Sequence, residues 1–266
     1  MKKFFRILTA TALVAAMILS AGCQKKETSG DRLENIKAAG KITIALEGAW
    51  APWNYHDEED VLVGFDTEVG QMIAEKLGVE AEFVESDWDS LLAGLESGRY
   101  DLMINGVEYT EERAKKYDFS TPYAYIHTAL IVSADNEDIT CFEDLNGKTT
   151  ANSIQSTYML LAEEYGANVE GVDTLEETLN LVLAGRVDAT LNSEDSYYDY
   201  MKAHPDAALK VAATTEEASH VCIPMPKGDD SASLKEAVDQ ALEELRAEGK
   251  LSEVSLKYFG RDITNE

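Results

Sequence analysis

The chain has 266 residues, of which 50 are acidic and 23 are basic, so its formal net charge is −27 at pH 7. A charge of this sign and size disfavours nucleic acids and anionic lipid surfaces as partners, and it supports solubility. Hydrophobic residues make up 45% of the chain, which is enough for the cores of two small domains.

The N-terminus has the pattern of an export signal. Three basic residues precede an apolar run over residues 7–19, which is too short to span a bilayer. We therefore predict a signal peptide over residues 1–22. The letters LSAGC, ending at Cys23, resemble the lipobox of bacterial lipoproteins, with Ser20 in place of the usual bulky aliphatic residue. The resemblance implies a palmitate-bearing Cys23 that anchors an exported protein to the extracellular or periplasmic face of the cell membrane; plain secretion is the alternative.

Residues 23–31 comprise the lipidated cysteine and a polar segment, QKKETSGD, with nothing to bury. We predict a flexible tether there, with the folded region starting near Arg32. Two further cysteines, Cys141 and Cys222, lie in dissimilar contexts, so we predict two free and buried thiols.

Strand and helix patterns alternate along the first half of the folded region. Alternating or short apolar runs predict strands near residues 42–46, 83–84 and 102–104, and helical spacing predicts helices over 66–78 and 91–95. We expect Asp66 to cap the first of these helices, Gly78 to end it, and Phe65 to be buried.

An apolar stretch over residues 123–132 predicts a strand that leads out of this first unit. A second α/β unit then begins near the turn at Asn146 and Gly147. Its patterns predict helices over 156–165, 174–184 and 194–203, and strands near 149–152, 169–172 and 189–191. A terminal amphipathic helix ends at Gly249. These patterns alone also permit one large α/β sheet.

The stretch from Ser86 to Tyr123 carries the clearest motif. Trp88 precedes an LL-x-x-L helix, and a G-R-x-D turn, a T-x-x-R motif containing Arg113, and FS-x-PY follow in order. This ordered set resembles the extracellular solute-binding proteins of amino acid ABC transporters, in their polar amino acid and cystine-binding lipoprotein class. The resemblance extends from Ile36 to Thr264.

The resemblance implies an α/β protein with the type II periplasmic binding protein fold, in which two α/β lobes are joined by two hinge strands. Lobe 1 is expected to comprise residues 32–127 plus 222–266, and lobe 2 residues 128–221. The chain is expected to cross between them near residues 125–131 and 219–224.

The resemblance assigns the ligand carboxylate to Arg113, whose guanidinium is a rigid fork of donors. Ser156 and Thr157 are expected to help, because a helix N-terminus favours an anion. These two residues could instead be ordinary helix caps. The alternative for the arginine is a surface ion pair with a neighbouring acid: Glu111, Glu112 or Asp118.

The ligand ammonium lacks its usual aspartate partner. Asn192 and Ser193 stand where the family implies that acid, whereas Glu108 stands where a hydroxyl residue is usual. We therefore hypothesise that Glu108 neutralises the ammonium while Asn192 and Ser193 only donate or accept hydrogen bonds. Glu194 and Asp195 are the competing candidates.

The ligand side chain is assigned to Glu47, Trp50 and Trp88, which align with residues lining the family's cleft, and Gly106 belongs to the same expected site. Two indoles can enclose an apolar or guanidinium-bearing chain, and Glu47 can receive a distal positive group. One of Trp50 and Trp53 is expected to pack in the core instead.

His127 and His220 lie on the two expected crossing strands, where their approach would make lobe closure sensitive to pH. Coincidental placement is the favoured interpretation, because neither histidine has an identifiable acid partner.

We expect a monomeric binding protein that is not an enzyme, because nucleophile-elbow, phosphate-loop and metal motifs are all missing from the sequence. No cofactor or metal is expected. Its expected partners are an amino acid, with cystine or a cationic or polar amino acid favoured, and the permease of an ABC importer. A ligand sensor acting on a receptor, or a periplasmic dehydratase with Glu108 as proton donor, are the alternatives.

Overall fold

The computed structural model describes residues 30–266. The predicted signal peptide and the predicted lipidation site at Cys23 lie outside the described residues, as does nearly all of the predicted tether. Within the described range, no helix has both the length and the apolar character needed to cross a membrane.

The described chain alternates short strands and helices, as the sequence patterns predict. The helices are α1 (Arg32–Ala39), α2 (Phe65–Leu77), α3 (Trp88–Glu96), α4 (Glu111–Ala114), α5 (Thr157–Glu164), α6 (Leu175–Leu183), α7 (Glu194–Ala203), α8 (Ala232–Ala247) and α9 (Lys250–Phe259). The strands are β1 (Lys41–Leu46), β2 (Ala49–Trp50), β3 (Asn54–His56), β4 (Leu62–Val63), β5 (Glu80–Glu85), β6 (Leu102–Met103), β7 (Tyr117–Phe119), β8 (Ala124–Ile126), β9 (Thr128–Ser133), β10 (Thr149–Asn152), β11 (Asn168–Gly171), β12 (Ala189–Ser193), β13 (Leu209–Thr214), β14 (Ser219–Val221) and β15 (Pro224–Pro226). Single 3₁₀ turns occur at Phe142–Leu145 and Asp229–Ser231.

The first lobe is built on a parallel sheet with the strand order β5-β1-β6. Along β1, Ile42 and Ile44 point into a core shared with α2, α8 and α9, whereas Ala45 belongs to the cluster beneath α3. This alternation follows from the two-residue period of a strand. Helices therefore cover both faces of the sheet, as a buried parallel sheet requires.

The second lobe is built on a five-stranded sheet with the order β11-β10-β12-β9-β13. Strand β9 pairs antiparallel with both β12 and β13, and the pairs on the other side of β12 are parallel. Leu130 and Val132 on β9 pack in the cluster that contains α5, whereas Ala129 and Ile131 pack in the cluster of α6 and α7. Both faces of this sheet are again covered.

Two strands connect the lobes. The predicted single strand over residues 123–132 is divided at His127 into β8 and β9. Strand β8 pairs with β14, while β9 joins the five-stranded sheet, so the chain changes partners at this point. The outgoing and returning segments thus form an antiparallel pair between the two lobes.

The prediction that Asp66 caps α2 is wrong. The N-cap is Gly64, with φ of 126°, and an added Cβ there would lie 2.3 Å from the carbonyl oxygen of Trp53. Asp66 lies one residue inside the helix, fully buried, where it bonds Asn54 and Tyr123 instead of the helix backbone. The prediction for the other end is confirmed, because Gly78 closes the helix in the left-handed conformation.

The predicted terminal helix is followed by one more helix. Gly249 adopts a φ of 73° and joins α8 to α9, which buries Leu251 and Val254 in the core of the first lobe. Helix α1 contacts β1 and α8, so both ends of the described region pack beside the β5-β1-β6 sheet.

Both cysteines of the described region are free thiols, as predicted. Cys222 is buried among apolar residues, and burial raises the pKa of its thiol to about 12. Cys141 is only half-buried, in contrast to the prediction.

Candidate functional site

A cavity lies between the two lobes, and the space between its walls, including the part open to solvent, is about 540 Å³. Its first wall comes from the first lobe: Glu47, Ala49, Trp50, Trp88, Asn105, Gly106, Glu108 and Arg113. Its second wall comes from the second lobe: Ser153, Ser156, Thr157, Tyr158, Asp173, Thr174, Leu175 and Asn192. The structure therefore brings together the candidate ligand-binding residues of the sequence analysis, except Ser193.

Arg113 is held in place by its own helix and by the backbone. Thr110 caps α4 and accepts a hydrogen bond from the Arg113 N–H at 3.1 Å. The guanidinium is buried beside the Trp88 ring, and it donates to the carbonyl oxygens of Glu108, at 2.8 Å, and Gln155, at 3.3 Å. The surface ion pair considered as the alternative does not form. Because two carbonyls occupy only part of a five-donor group, further donors remain for an anion.

Glu108 links the two walls of the cavity. Its backbone forms a bridge with Val221, the last residue of β14, and its side chain is only 6% exposed. The carboxylate accepts a hydrogen bond of 2.6 Å from the Thr157 hydroxyl of the second lobe. A carboxylate of the first lobe is therefore hydrogen-bonded to the first residue of α5 in the second lobe.

Ser156 and Thr157 open α5 but have different roles. The Ser156 hydroxyl caps the helix and accepts a bond from the Met159 N–H at 3.0 Å, so the cap interpretation is confirmed for this residue. Thr157 directs its hydroxyl to Glu108 instead. Both residues line the cavity, which places the positive end of the α5 dipole at its wall.

The segment after β12 only partly follows the prediction. Asn192 lines the cavity, and its side-chain oxygen accepts from the Ser193 N–H at 2.9 Å. Ser193 is buried as the N-cap of α7 and is not a lining residue. Asp195 forms two bonds with Arg261, at 2.7 and 2.8 Å, and Glu194 lies 3.7 Å from the same guanidinium. These two acids are thus paired outside the cavity.

The two tryptophans of the EGAWAPW segment take separate roles, as expected. Trp53 is fully buried in the first core, whereas Trp50 stacks on it at 5.3 Å and lines the cavity. Gly106, with φ of 55°, makes room for this arrangement, because an added Cβ would lie 2.5 Å from the Trp50 ring.

Two buried donors at the cavity wall lack a hydrogen-bond partner among the residues that the structure describes: the indole N–H groups of Trp50 and Trp88. Buried donors of this kind are costly when unpaired.

Glu47 follows β1 directly and accepts a hydrogen bond of 2.7 Å from the Asn105 amide. Burial is the main cause that raises the pKa of this carboxyl to about 7, while the bond from Asn105 opposes the rise. The group therefore changes charge close to neutral pH.

Several lining residues of the second lobe were not predicted. Ser153 follows the last residue of β10, and Asp173 comes two residues after β11 ends. Ligands of open α/β sheets bind beyond the carboxyl ends of the strands. The predicted strand ends could therefore have identified both residues.

The two histidines near the crossing strands do not form a pair. The Nδ1 atom of His127 lies 2.8 Å from the carbonyl oxygen of Thr215, whereas the His220 ring packs edge-on against Tyr125 at 5.2 Å. Each ring therefore has a different neighbour.

Comparison with known proteins gives a consistent result. The family model for bacterial extracellular solute-binding proteins, family 3, matches residues 42–261. A "Probable amino-acid ABC transporter-binding protein" of Haemophilus influenzae is 36% identical over 259 residues, which covers 97% of this chain and 99% of the relative.

Two solved structures show the same fold. An ancestral arginine-binding protein bound to arginine superimposes with a TM-score of 0.78 at 34% identity, covering 83% of this chain and 99% of that protein. The L-cystine solute receptor of Neisseria gonorrhoeae, in its unliganded open conformation, gives 0.59 at 37% identity, covering 88% and 99%. The two-lobed fold of type II periplasmic amino acid-binding proteins is thus confirmed. This chain belongs to family 3 of the bacterial extracellular solute-binding proteins.

Proposed function

We propose that this protein is the substrate-binding component of an ABC importer, and that it binds a polar amino acid between its lobes and delivers it to the permease. One observation carries the proposal: Arg113 and Glu108, of opposite charge, line the same buried cavity. A free amino acid carries both charges, and each must be paired when it is removed from water. The name of the Haemophilus influenzae relative supports the transport role.

In the proposed complex, Arg113 binds the ligand carboxylate with the donors that the two carbonyls leave unused. The N-terminus of α5, with Ser156 and Thr157, supports the same anion from the second lobe. Glu108 pairs with the ammonium group, and Asn192 donates or accepts one further hydrogen bond.

The charges of the cavity favour a ligand with a positively charged side chain. Its wall contains three acids, Glu47, Glu108 and Asp173, and one base, Arg113. A cationic amino acid would pair its extra charge with Glu47, between the Trp50 and Trp88 rings. Cystine ranks second, because its second carboxylate would find only neutral donors. The two similar solved structures are an arginine-binding and a cystine-binding protein.

We place the lobe boundaries where the sequence analysis expects them, at residues 32–127 plus 222–266 for lobe 1 and 128–221 for lobe 2. Strands β8 and β14 then form the hinge. Three contacts across the cleft support a closed arrangement: Thr157 with Glu108, Gln155 with Arg113, and Asp195 with Arg261. A ligand would stabilise this arrangement by its stronger binding to the closed form.

Binding is proposed to leave the ligand unchanged. Glu108, which could serve as the proton donor of a dehydratase, here accepts a hydrogen bond from Thr157 and lies near Arg113, an arrangement suited to charge pairing. Mass spectrometry after prolonged incubation with each bound amino acid should detect only the unchanged compound. A dehydrated or decarboxylated product would contradict this part of the proposal.

We further propose a monomer that is attached to the outer face of the membrane through palmitate on Cys23. Labelled palmitate should be incorporated into the wild-type protein but not into Cys23→Ala, and the variant should leave the membrane fraction. Incorporation into the variant would contradict the anchor at this residue. Light scattering of the released protein measures its molar mass and so tests whether it is a monomer.

A thermal unfolding screen with all amino acids and cystine tests the ligand-binding function. The correct ligand should raise Tm, since a hundredfold excess over Kd stabilises the folded state by about 2.7 kcal/mol. Arg113→Ala should lose the response, whereas Arg186→Ala, an exposed arginine of the second lobe, should keep it. No response to any compound would contradict the proposed function.

A further inference from the structure

A buried polar chain runs from the cavity into the interior of the first lobe. Glu47 accepts from the Asn105 amide at 2.7 Å, and the Asn105 side-chain oxygen accepts from Asn54 at 3.0 Å. Asn54 also donates to Asp66 at 3.3 Å, and the Tyr123 hydroxyl donates to the other oxygen of Asp66 at 2.7 Å. Two amides thus connect a carboxyl at the cavity to a carboxyl in the core.

Backbone groups fix the direction of these bonds. The Glu47 N–H donates to the side-chain oxygen of Asn105, and the Gly48 N–H donates to that of Asn54, both at 2.8 Å. Because a backbone N–H can only donate, these contacts identify the amide oxygens and leave the NH₂ groups facing the carboxyls. Both hydrogens of the Asn54 amide are used, one for Asn105 and one for Asp66.

Ionisation of one of these two buried carboxyls disfavours ionisation of the other. Burial is the main cause that raises the pKa of both Glu47 and Asp66 to about 7, and the charge of Glu47 raises that of Asp66 further. Coupling between two titrating groups is mutual, so the charge of Asp66 must also disfavour that of Glu47.

The remaining charged and titratable groups around the chain come from several elements. Asp87, before α3, raises the pKa of Glu47, and Glu85, beside Gly48, is bonded to His56 at 2.9 Å. The other ionisable groups of the cavity wall are Glu108, Arg113, Tyr158 and Asp173. The Gly106 N–H and the Tyr123 hydroxyl favour the charged form of Asp66.

We propose that Asp66, acting through Asn54 and Asn105, adds to the proton affinity that burial gives Glu47, so that binding of a ligand with a cationic side chain releases a proton to solvent. Binding of a ligand with a neutral side chain releases none. The inference rests on the proposed function, and it makes Asp66 a positioning residue for the recognition of side-chain charge. Selectivity for a cationic over a neutral side chain then increases with pH.

The direction of the pH dependence follows from the protonation state of Glu47 in the ligand-free protein. Below about pH 7 the Glu47 carboxyl holds a proton that a cationic group must displace, so affinity for such a ligand rises with pH, by up to tenfold per unit for one proton. Above that pH the affinity levels off. The native carboxyls bind protons more tightly than ordinary unfolded ones, so their contribution to stability falls as pH rises from about 3.8 for Asp66 and about 4.5 for Glu47 to about 7, and it is constant beyond that pH.

Carboxyl-carbon NMR of the free protein, labelled at Glu and Asp, tests the coupling without any ligand. Asp66→Asn should lower the titration midpoint of Glu47 by about one pH unit, and Glu47→Gln should lower that of Asp66 by an equal amount. Asp57→Asn, an exposed carboxyl of the same lobe, is the matched control and should move neither. A Glu47 midpoint that is unchanged by Asp66→Asn would overturn the proposal.

Calorimetry with L-arginine and its neutral analogue L-citrulline, between pH 5.5 and 8.5, tests the link to the ligand. The Kd for arginine should decrease with pH and level off near neutrality, that for citrulline should stay flat, and Asp66→Asn should shift the arginine profile to lower pH. Equal profiles for the two ligands would overturn the link. If neither compound binds, the assignment of Glu47 to a cationic side chain is overturned, while NMR still decides the coupling separately.

Discussion

The two walls of the cavity differ in the charge of their buried polar groups. On the first wall, Arg113 and Glu108 are buried, and Glu47 is fixed by amides that the backbone orients. The second wall offers the hydroxyls of Ser156 and Thr157 at a helix N-terminus and the exposed carboxyl of Asp173. The buried charges of the site are therefore concentrated on the first wall, whereas the second wall contributes mainly neutral groups, among them the hydroxyl and the carbonyl that Glu108 and Arg113 bond.

This difference predicts that changes on the first wall reduce affinity more than changes on the second. Truncating one partner of a buried charge pair usually costs about 2–5 kcal/mol, because the other charge stays unpaired. Losing a neutral hydrogen bond costs about 1 kcal/mol. The following variants test the contrast in order of decreasing effect.

Arg113→Ala should weaken binding of the ligand found in the thermal screen by at least about 100-fold, because the carboxylate would be buried without a cation. Isothermal calorimetry measures the change. Arg186→Ala, an exposed arginine, serves as the matched control. A loss of less than about tenfold would mean that the second wall holds the carboxylate.

Glu108→Gln should weaken binding about 30-fold, since the amide keeps the shape but not the charge that pairs with the ammonium group. The exposed Glu111→Gln in the same segment should have no effect in the same titration. Near-native affinity of the Glu108 variant would contradict the assignment of the ammonium to this residue.

Gly106→Ala should weaken binding about tenfold and lower the free energy of unfolding by about 1–2 kcal/mol, because the added Cβ meets Trp50 and the backbone φ is positive. Gly185→Ala separates the two causes, since Gly185 has a φ of 63° and nothing within 4 Å of an added Cβ. Denaturant unfolding should show a loss for both variants, and calorimetry should show weaker binding only for Gly106→Ala. If Gly106→Ala and the wild type bind the ligand with equal affinity, the position of the Trp50 ring does not contribute to binding.

Thr157→Val should weaken binding by no more than about tenfold, because it removes the hydrogen bond that the Glu108 carboxylate accepts from the second wall but leaves every charge in place. Thr214→Val, at an exposed position of β13, should bind normally. A loss as large as that of Arg113→Ala would reverse the ranking of the two walls.

Arg261→Gln should have the smallest effect on binding, about two- to threefold, because its ion pair with the buried Asp195 lies outside the cavity and acts on the ligand only through the closed form. The weakening should come from a less stable closed form. Small-angle scattering of the free variant should then show a larger radius of gyration than that of the wild type. An unchanged radius would show that this ion pair does not contribute to closure.

Some residues that line the cavity could be named from the sequence. Trp88, Glu108 and Arg113 lie in one short segment, and the family resemblance of its ordered motif assigned them to the expected site. The amide chain could not be predicted, because Asn54, Asn105 and Asp66 come from three separate segments. Asp66 fits the pattern of a helix cap, and only the tertiary structure shows its burial.

The errors at chain ends and boundaries have local causes. Gly249 has the left-handed conformation that ends a helix, yet α9 starts directly after it. The same glycine therefore follows the end of α8 and begins α9. Ser193 was assigned to the ligand because of its position after the β12 pattern. Its hydroxyl instead caps α7, which is the ordinary role of a serine at a helix start.

The backbone bridge between Glu108 and Val221 gives the site a direct mechanical connection to the returning strand. A ligand that displaces Glu108 also displaces the β14 end of the segment that joins the lobes. Under the proposed function, ligands of different size would therefore set different closing angles through this bridge.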